Sequence, residues 1–128
     1  MSLKDSIRVM VVDDMAVSRG LVTQALEEIG IFQVSAENNG KSALNRLVAD
    51  PVHLVLADHN MPGMDGLQLL EGLRRNRSTQ RIGYILVTGT PTPDLIQKGQ
   101  QLGLNNLVKK PFTTATMKKA IEAVVGRL

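Results

Sequence analysis

The chain has 128 residues, 43% of them apolar and 21% charged, with a formal net charge of +3. That length suits one domain with a sizeable core, and the composition is that of an ordinary globular protein rather than a disordered or fibrous one. The lack of cysteine excludes disulfides, a thiol nucleophile and thiolate metal sites, and no apolar run approaches the roughly 20 residues that span a bilayer.

The opening stretch, MSLKDSIRVMVVDD, meets acidic residues before any long apolar region. No signal peptide is therefore expected, and a cytoplasmic location is the default. Charge is unevenly spread. Residues 1–65 hold five Lys/Arg against nine Asp/Glu, net −4, and residues 66–128 hold ten against three, net +7. The acidic half asks what its acids hold, and the basic half what it meets.

Ile7 to Val12 reads as a buried strand, followed at once by Asp13 and Asp14. Val17, Leu21, Val22, Ala25, Leu26 and Ile29 then recur at helical spacing, and Gly30 suits a left-handed helix end. Phe32 to Ala36 suits a second strand. Gly40 to Ala49 suits a second helix, with Ala43, Leu44, Leu47 and Val48 on one side, stopped by Asp50-Pro51. Leu54 to Ala57 is a third strand with Asp58 at its end, and Pro62, Gly63 and Gly66 mark the loop beyond. Leu67, Leu69, Leu70 and Leu73 open a third helix. Tyr84 to Val87 forms a fourth strand ending at Thr88-Gly89. Thr92-Pro93 is a cap followed by proline at the first helical position, so a fourth helix starts there and stops by Gly103. Asn106 to Lys109 is a weak fifth strand. Thr113 or Thr114 caps a last helix containing Met117, Ala120, Ile121, Val124 and Val125.

Strand followed by helix, five times over, implies an α/β fold with a doubly wound five-stranded parallel sheet covered on both faces. Such sheets place their chemistry at the carboxyl ends of the strands, where the first and third flank the crevice at the switch point. Asp13, Asp14 and Asp58 would meet there. Three carboxylates so close repel one another unless a cation intervenes, and a few carboxylates with water suit magnesium, with manganese as the alternative. Asp13 and Asp14 alone would better suit a helix cap; Asp58 at the matching end of another strand turns the reading to the metal. Thr88 ends the fourth strand and Lys110 follows the fifth. An acid cluster, a hydroxyl and an ammonium together suit a phosphoryl group, with Asp58 as nucleophile.

In its order of motifs the chain resembles the receiver domains of bacterial two-component response regulators, in particular stand-alone chemotaxis regulators of the CheY type. The resemblance covers residues 7–127 and rests on VMVVDD, LVLADHNMPGMDG, the VTG around Thr88 and KKPFT around Lys110. It implies a flavodoxin-like (βα)5 fold with strand order 2-1-3-4-5, as a single receiver domain over residues 1–128 with no output domain. It implies that Asp58 accepts a phosphoryl group from a sensor histidine kinase of the chemotaxis type. Magnesium would be held directly by Asp14 and Asp58, by Asp13 through water and by the backbone carbonyl of Asn60. Thr88 and Lys110 would contact the phosphoryl group, with a cis bond between Lys110 and Pro111. The chain would act as a monomeric switch rather than a turnover enzyme, limited to its own phosphorylation and dephosphorylation. Its altered surface, with Lys98, Lys109, Lys118 and Lys119, would meet a flagellar motor switch protein or another signalling protein. Membrane insertion is not expected.

The chain departs from the family's pattern at Leu107, where an aromatic residue often couples to the threonine. That leans the reading towards a phosphate sink, which drains a shared kinase, over direct motor output. His59 and Thr90 flank the expected path of the attacking water. His53 and His59 are too scattered for a metal site. Three other readings compete. A nucleic-acid-binding module would use Arg74, Arg75, Arg77 and Arg81, which lack interleaved aromatics, so no nucleic-acid partner is expected. A metal-dependent phosphohydrolase would usually carry a second Asp where Asn60 stands. A degenerate scaffold would not need the intact acids, Thr88 and Lys110.

Overall fold

Strands β1 (Val9–Val12), β2 (Val34–Glu37), β3 (Leu54–Asp58), β4 (Gly83–Thr88) and β5 (Asn106–Lys109) form one parallel sheet. Its order in the computed structural model, which describes residues 2–128, is β2-β1-β3-β4-β5. The helices among the described residues are α1 (Leu3–Ser6), α2 (Ala16–Ile29), α3 (Gly40–Ala49), α4 (Gly66–Arg75), α5 (Pro93–Gln101) and α6 (Thr114–Val125). This is the expected doubly wound, flavodoxin-like arrangement, preceded by a one-turn helix that the sequence left open.

Side chains on a strand alternate between faces, and that alternation divides the core in two. Val9, Val11, Leu54, Leu56, Ile85, Val87 and Val108 pack on Val22, Leu26 and Ile29 of α2 and on Met117 and Ile121 of α6. Met10, Val12, Val55, Ala57, Tyr84 and Leu86 pack on Ala43 and Leu47 of α3 and on Leu69, Leu70 and Leu73 of α4. A strand buried on both faces has no polar positions to offer, which is why β1, β3 and β4 read as continuous apolar runs.

Helix starts follow their capping residues. Asn39, Asp65, Thr92 and Thr113 each accept a hydrogen bond from the amide three residues on, at 2.8, 2.8, 3.1 and 3.1 Å. Gly30, at φ +101°, ends α2 in the left-handed region, as its residue type suggests.

Two apolar positions stand outside the core they were expected to join. Val17 and Leu21 are 76% and 56% exposed. The inward stripe of α2 is Val22, Ala25, Leu26 and Ile29, spaced i, i+3, i+4, i+7. Val17 and Leu21 lie one turn apart on another face. Val48 is likewise exposed, while Ala43 and Leu47 carry the contact of α3. The second strand begins at Val34, two residues later than expected, and leaves Phe32 exposed.

Candidate functional site

Parallel pairing puts the carboxyl ends of β1, β3, β4 and β5 along one edge. Val12 pairs with Ala57, so Asp13 and Asp58 each lie one residue past a matched pair. Asp58 pairs with Val87, and Thr88 with Lys109. The expected acids, hydroxyl and ammonium therefore reach the same edge from four separate segments.

Asp13 is buried and fixed on every side. Its Oδ1 accepts from the Met15 amide at 3.0 Å, its amide donates to the Glu37 carbonyl at 3.1 Å, and its carbonyl accepts from Arg19 Nη1 at 2.8 Å. The helix cap is Met15, which has no side-chain cap, so Asp13 and Asp14 do not serve as the cap of α2. Asp14 is exposed and Asp58 partly buried. One carboxylate oxygen from each of Asp13, Asp14 and Asp58 lies within 4.8 Å of the others.

Lys110 reaches into this cluster. Its Nζ lies 3.5 Å from Asp13 Oδ2 and 3.4 Å from Asp58 Oδ1, and donates to Ser18 Oγ at 2.7 Å. Burial pushes the Asp58 carboxyl above its ordinary range. The ammonium of Lys110 pulls it back, the charge of Asp13 raises it further, and the Lys110 and His59 hydrogen bonds oppose the rise. Three hard carboxylate donors facing a single ammonium leave negative charge in excess, so the residues present fit a divalent cation such as magnesium.

Thr88 is buried; its Oγ1 accepts from the Thr90 amide at 3.2 Å, and its carbonyl accepts from the Lys110 amide at 2.8 Å. The Lys110–Pro111 bond is cis, as the resemblance implies. Asn60 lies exposed in the loop between β3 and α4.

The sequence and the fold are both similar to those of proteins of known kind. Residues 9–122 match the response regulator receiver domain. The chain belongs to that family. A Rhizobium etli protein named probable chemotaxis protein CheY is 41% identical over 128 residues, covering 100% of this chain and 99% of its own length. Chemotaxis protein CheY4 of Vibrio cholerae superposes with a TM-score of 0.86 at 25% identity, over 93% of this chain and 98% of that one. The receiver domain of a Pseudomonas aeruginosa sensor histidine kinase superposes with a TM-score of 0.85 at 21% identity, over 94% and 98%. That structure is described with a magnesium ion coordinated in its active-site cleft.

Elsewhere on this receiver the expected residues separate. Lys98 pairs with Asp94 at 3.1 Å and lines a cavity between α4 and α5 with His59, Thr90 and Leu95. Lys118 and Lys119 line a different depression on α6, and Lys109 is exposed on β5. Leu107 is half-buried against the α4 side of the core. His53 accepts from the Arg8 amide through Nδ1 at 2.8 Å, a packing role. His59 Nδ1 is buried with no hydrogen-bond partner among the described residues.

Two arginines of the basic cluster are engaged within the fold, while Arg77 and Arg81 are exposed. Arg74 donates to the carbonyls of Gln80, Ile82 and Gly103 and to Asn105 Oδ1, at 2.8–3.1 Å. Its guanidinium joins the end of α4 to the segments before β4 and β5 and is consumed there. Arg75 pairs with Glu71 at 3.3 Å.

Two site residues were not anticipated from the sequence, Ser18 and Arg19. Ser18 lies four residues before Val22, so it continues the inward stripe of α2 towards the strand ends. A hydroxyl at the end of an apolar stripe, next to an acid pair, was the signal available.

Proposed function

We propose that this receiver is a phosphorylation-controlled switch of chemotaxis signalling, with Asp58 as the phosphoryl acceptor. The observation that carries the reading is the approach of Lys110 Nζ to Asp58 Oδ1, at 3.4 Å, beside the acids Asp13 and Asp14. A nucleophilic carboxylate, an ammonium and a surplus of acid meet at one strand end, which suits phosphoryl transfer.

In this reading an Asp58 oxygen attacks the phosphorus of a phosphohistidine on a sensor histidine kinase. The N–P bond breaks, and its electron pair returns to the imidazole ring. Asp13, Asp14, Asp58 and the Asn60 carbonyl would hold magnesium, which when bound supplies positive charge against the phosphoryl oxygens. Lys110 hydrogen-bonds one of those oxygens. Thr88 exchanges its bond from the Thr90 amide for one to the phosphoryl group, and the loop after β4 moves with it. In-line attack by water then returns free Asp58 and inorganic phosphate. Its chemistry in this reading is limited to its own phosphorylation and dephosphorylation.

The output surface is the β5–α6 side, where Lys109, Lys118 and Lys119 suit an acidic or amphipathic partner segment such as a flagellar motor switch peptide. Lys98 on α5, paired with Asp94, adds to that surface. A second reading, a phosphate sink, is favoured by Leu107, whose side chain has neither ring nor hydroxyl to follow Thr88. Binding of the phosphorylated form to a motor switch peptide supports output, and its failure to bind supports the sink.

The test of the switch is intact mass after incubation with magnesium and acetyl phosphate, comparing wild type with Asp58→Asn. One phosphoryl group gained by wild type alone, and not gained when chelator is present during the incubation, is the expected result. No gain from acetyl phosphate or from a labelled histidine kinase overturns the reading.

A further inference from the structure

Lys110 is held in an unusual way. Hydrogen bonds from an ammonium to a carboxylate normally run at about 2.7–2.9 Å. Here the ammonium stands 3.5 Å from Asp13 Oδ2 and 3.4 Å from Asp58 Oδ1, and its short bond, 2.7 Å, goes to the neutral hydroxyl of Ser18. A lysine has three donors on a flexible stem. Without a fixed acceptor elsewhere, such a stem would close on the nearest acid.

Ser18 is well placed to prevent that. It sits in the first turn of α2, half-buried, in line with the inward stripe that starts at Val22. Hydroxyls inside helices commonly bond back to their own helix. Thr23 does so, donating to the Arg19 and Gly20 carbonyls at 3.1 and 3.0 Å. Ser18 instead points across to the segment that follows β5, 92 residues away in sequence.

We infer that Ser18 is a positioning residue that anchors the Lys110 ammonium between Asp13 and Asp58 while keeping it from closing on either carboxylate. The consequence is chemical. Asp13 Oδ2 and Asp58 Oδ1 are the oxygens that a tight ion pair with Lys110 would occupy. Held off by Ser18, the lysine leaves them open to a divalent cation, yet stays close enough to meet an incoming phosphoryl oxygen. Without Ser18, lysine and cation compete for the same two carboxylates. The inference rests on the switch reading, and concerns only how the protein prepares its acids.

Magnesium affinity, measured by calorimetric titration of the unphosphorylated protein, tests it. Alanine is a better helix former than serine, so Ser18→Ala retains the fold, which its thermal midpoint checks. Ser18→Ala should bind magnesium about three- to tenfold more weakly, the effect of one hydrogen bond. Ser18→Thr, which restores the hydroxyl, should return most of the affinity. In a Lys110→Ala background the Ser18→Ala change should have no effect, because no ammonium remains to be anchored; a purely structural role would persist there. Unchanged affinity in Ser18→Ala, or an equal loss with and without Lys110, overturns the inference while leaving the switch intact. Failure of the wild type to bind magnesium overturns both.

Discussion

The hydroxyl of Tyr84 donates a 2.6 Å hydrogen bond to the carbonyl of Gly66, tying the start of β4 to the first turn of α4. Tyr84 is the chain's only tyrosine and is fully buried. Burial pushes its phenol far above the ordinary range, so it remains a donor at any physiological pH. The bond closes the loop that leads from Asp58 through Asn60 into α4. Tyr84→Phe keeps the ring and deletes the bond. It should cost about 1 kcal/mol of stability, measured by urea denaturation, and it should slow phosphorylation by acetyl phosphate at temperatures where both proteins are folded. An unchanged urea midpoint would mean that the bond contributes nothing to the fold.

Gly66 is required by a close approach rather than by its backbone angles. A Cβ there would lie 2.7 Å from the Asp58 carbonyl oxygen, 2.7 Å from Leu86 Cδ1 and 2.9 Å from His59 Cα. Two of these three atoms are backbone of the acceptor segment, which cannot yield without moving Asp58. Gly66→Ala should therefore lose about 1–3 kcal/mol, as overpacked sites do, and should lower the phosphorylation rate more than Tyr84→Phe. A variant as stable and as fast as wild type would show that the segment relaxes freely.

Arg74 separates structural from solvated arginines. Its five N–H donors match a set of carbonyl and amide acceptors that a lysine cannot span. Arg74→Lys should cost about 2–4 kcal/mol in urea denaturation, whereas Arg77→Ala and Arg81→Ala, both at exposed positions, should stay within about 0.5 kcal/mol. Equal small effects at all three positions would return Arg74 to the solvated group.

These variants also mark where the sequence was legible. Continuous apolar runs ended by Asp13, Asp58 and Thr88 gave away buried parallel strands, because a strand covered on both faces carries no polar position until it leaves the core. Thr92-Pro93 marked a helix start through local chemistry alone. Once five strand–helix units were recognised, parallel topology forced the strand-end residues onto one edge, and the convergence of Asp13, Asp58, Thr88 and Lys110 followed. Helix phase was harder to read. In α2, apolar residues occur on more than one face, so Val17 and Leu21 could not be told from Val22 and Leu26 without the packing partner. The acceptors of Arg74 and Lys110 were out of reach for another reason. Long side chains bond to residues distant in sequence, such as Gly103 and Ser18, and no local pattern records such pairs.

The raised pKa of Asp58 makes a signed prediction about stability. A carboxyl whose folded value lies above its ordinary 3.8 binds its proton more tightly in the folded state than in the unfolded one. Below the unfolded value the protonated group carries no penalty. As pH rises through the folded value, the folded state loses stability relative to the unfolded. Asp58→Asn removes the titrating group. In metal-free buffer it should melt above wild type at pH 7, and the difference should shrink as pH falls and vanish below about 3.8. Equal melting temperatures at pH 7 would show that burial and Asp13 do not outweigh Lys110.

Cation binding should reverse that penalty. The approach of Asp58 to Asp13 and Asp14 destabilises the folded state and is absent from the unfolded chain, where Asp58 is far from the other two. A ligand bound only by the folded state stabilises it by about 2.7 kcal/mol at a hundredfold excess over its dissociation constant. At that excess magnesium should therefore raise the melting temperature of wild type by roughly 10 °C for a domain of this size, and a chelator should restore the original value. Asp58→Asn, with one anionic ligand removed, should respond less. The two proteins should thus exchange places: the variant melts higher without metal, and wild type gains more when metal is added. A shift of equal size in both would assign the effect to ions bound elsewhere on the surface and take Asp58 out of the cation site.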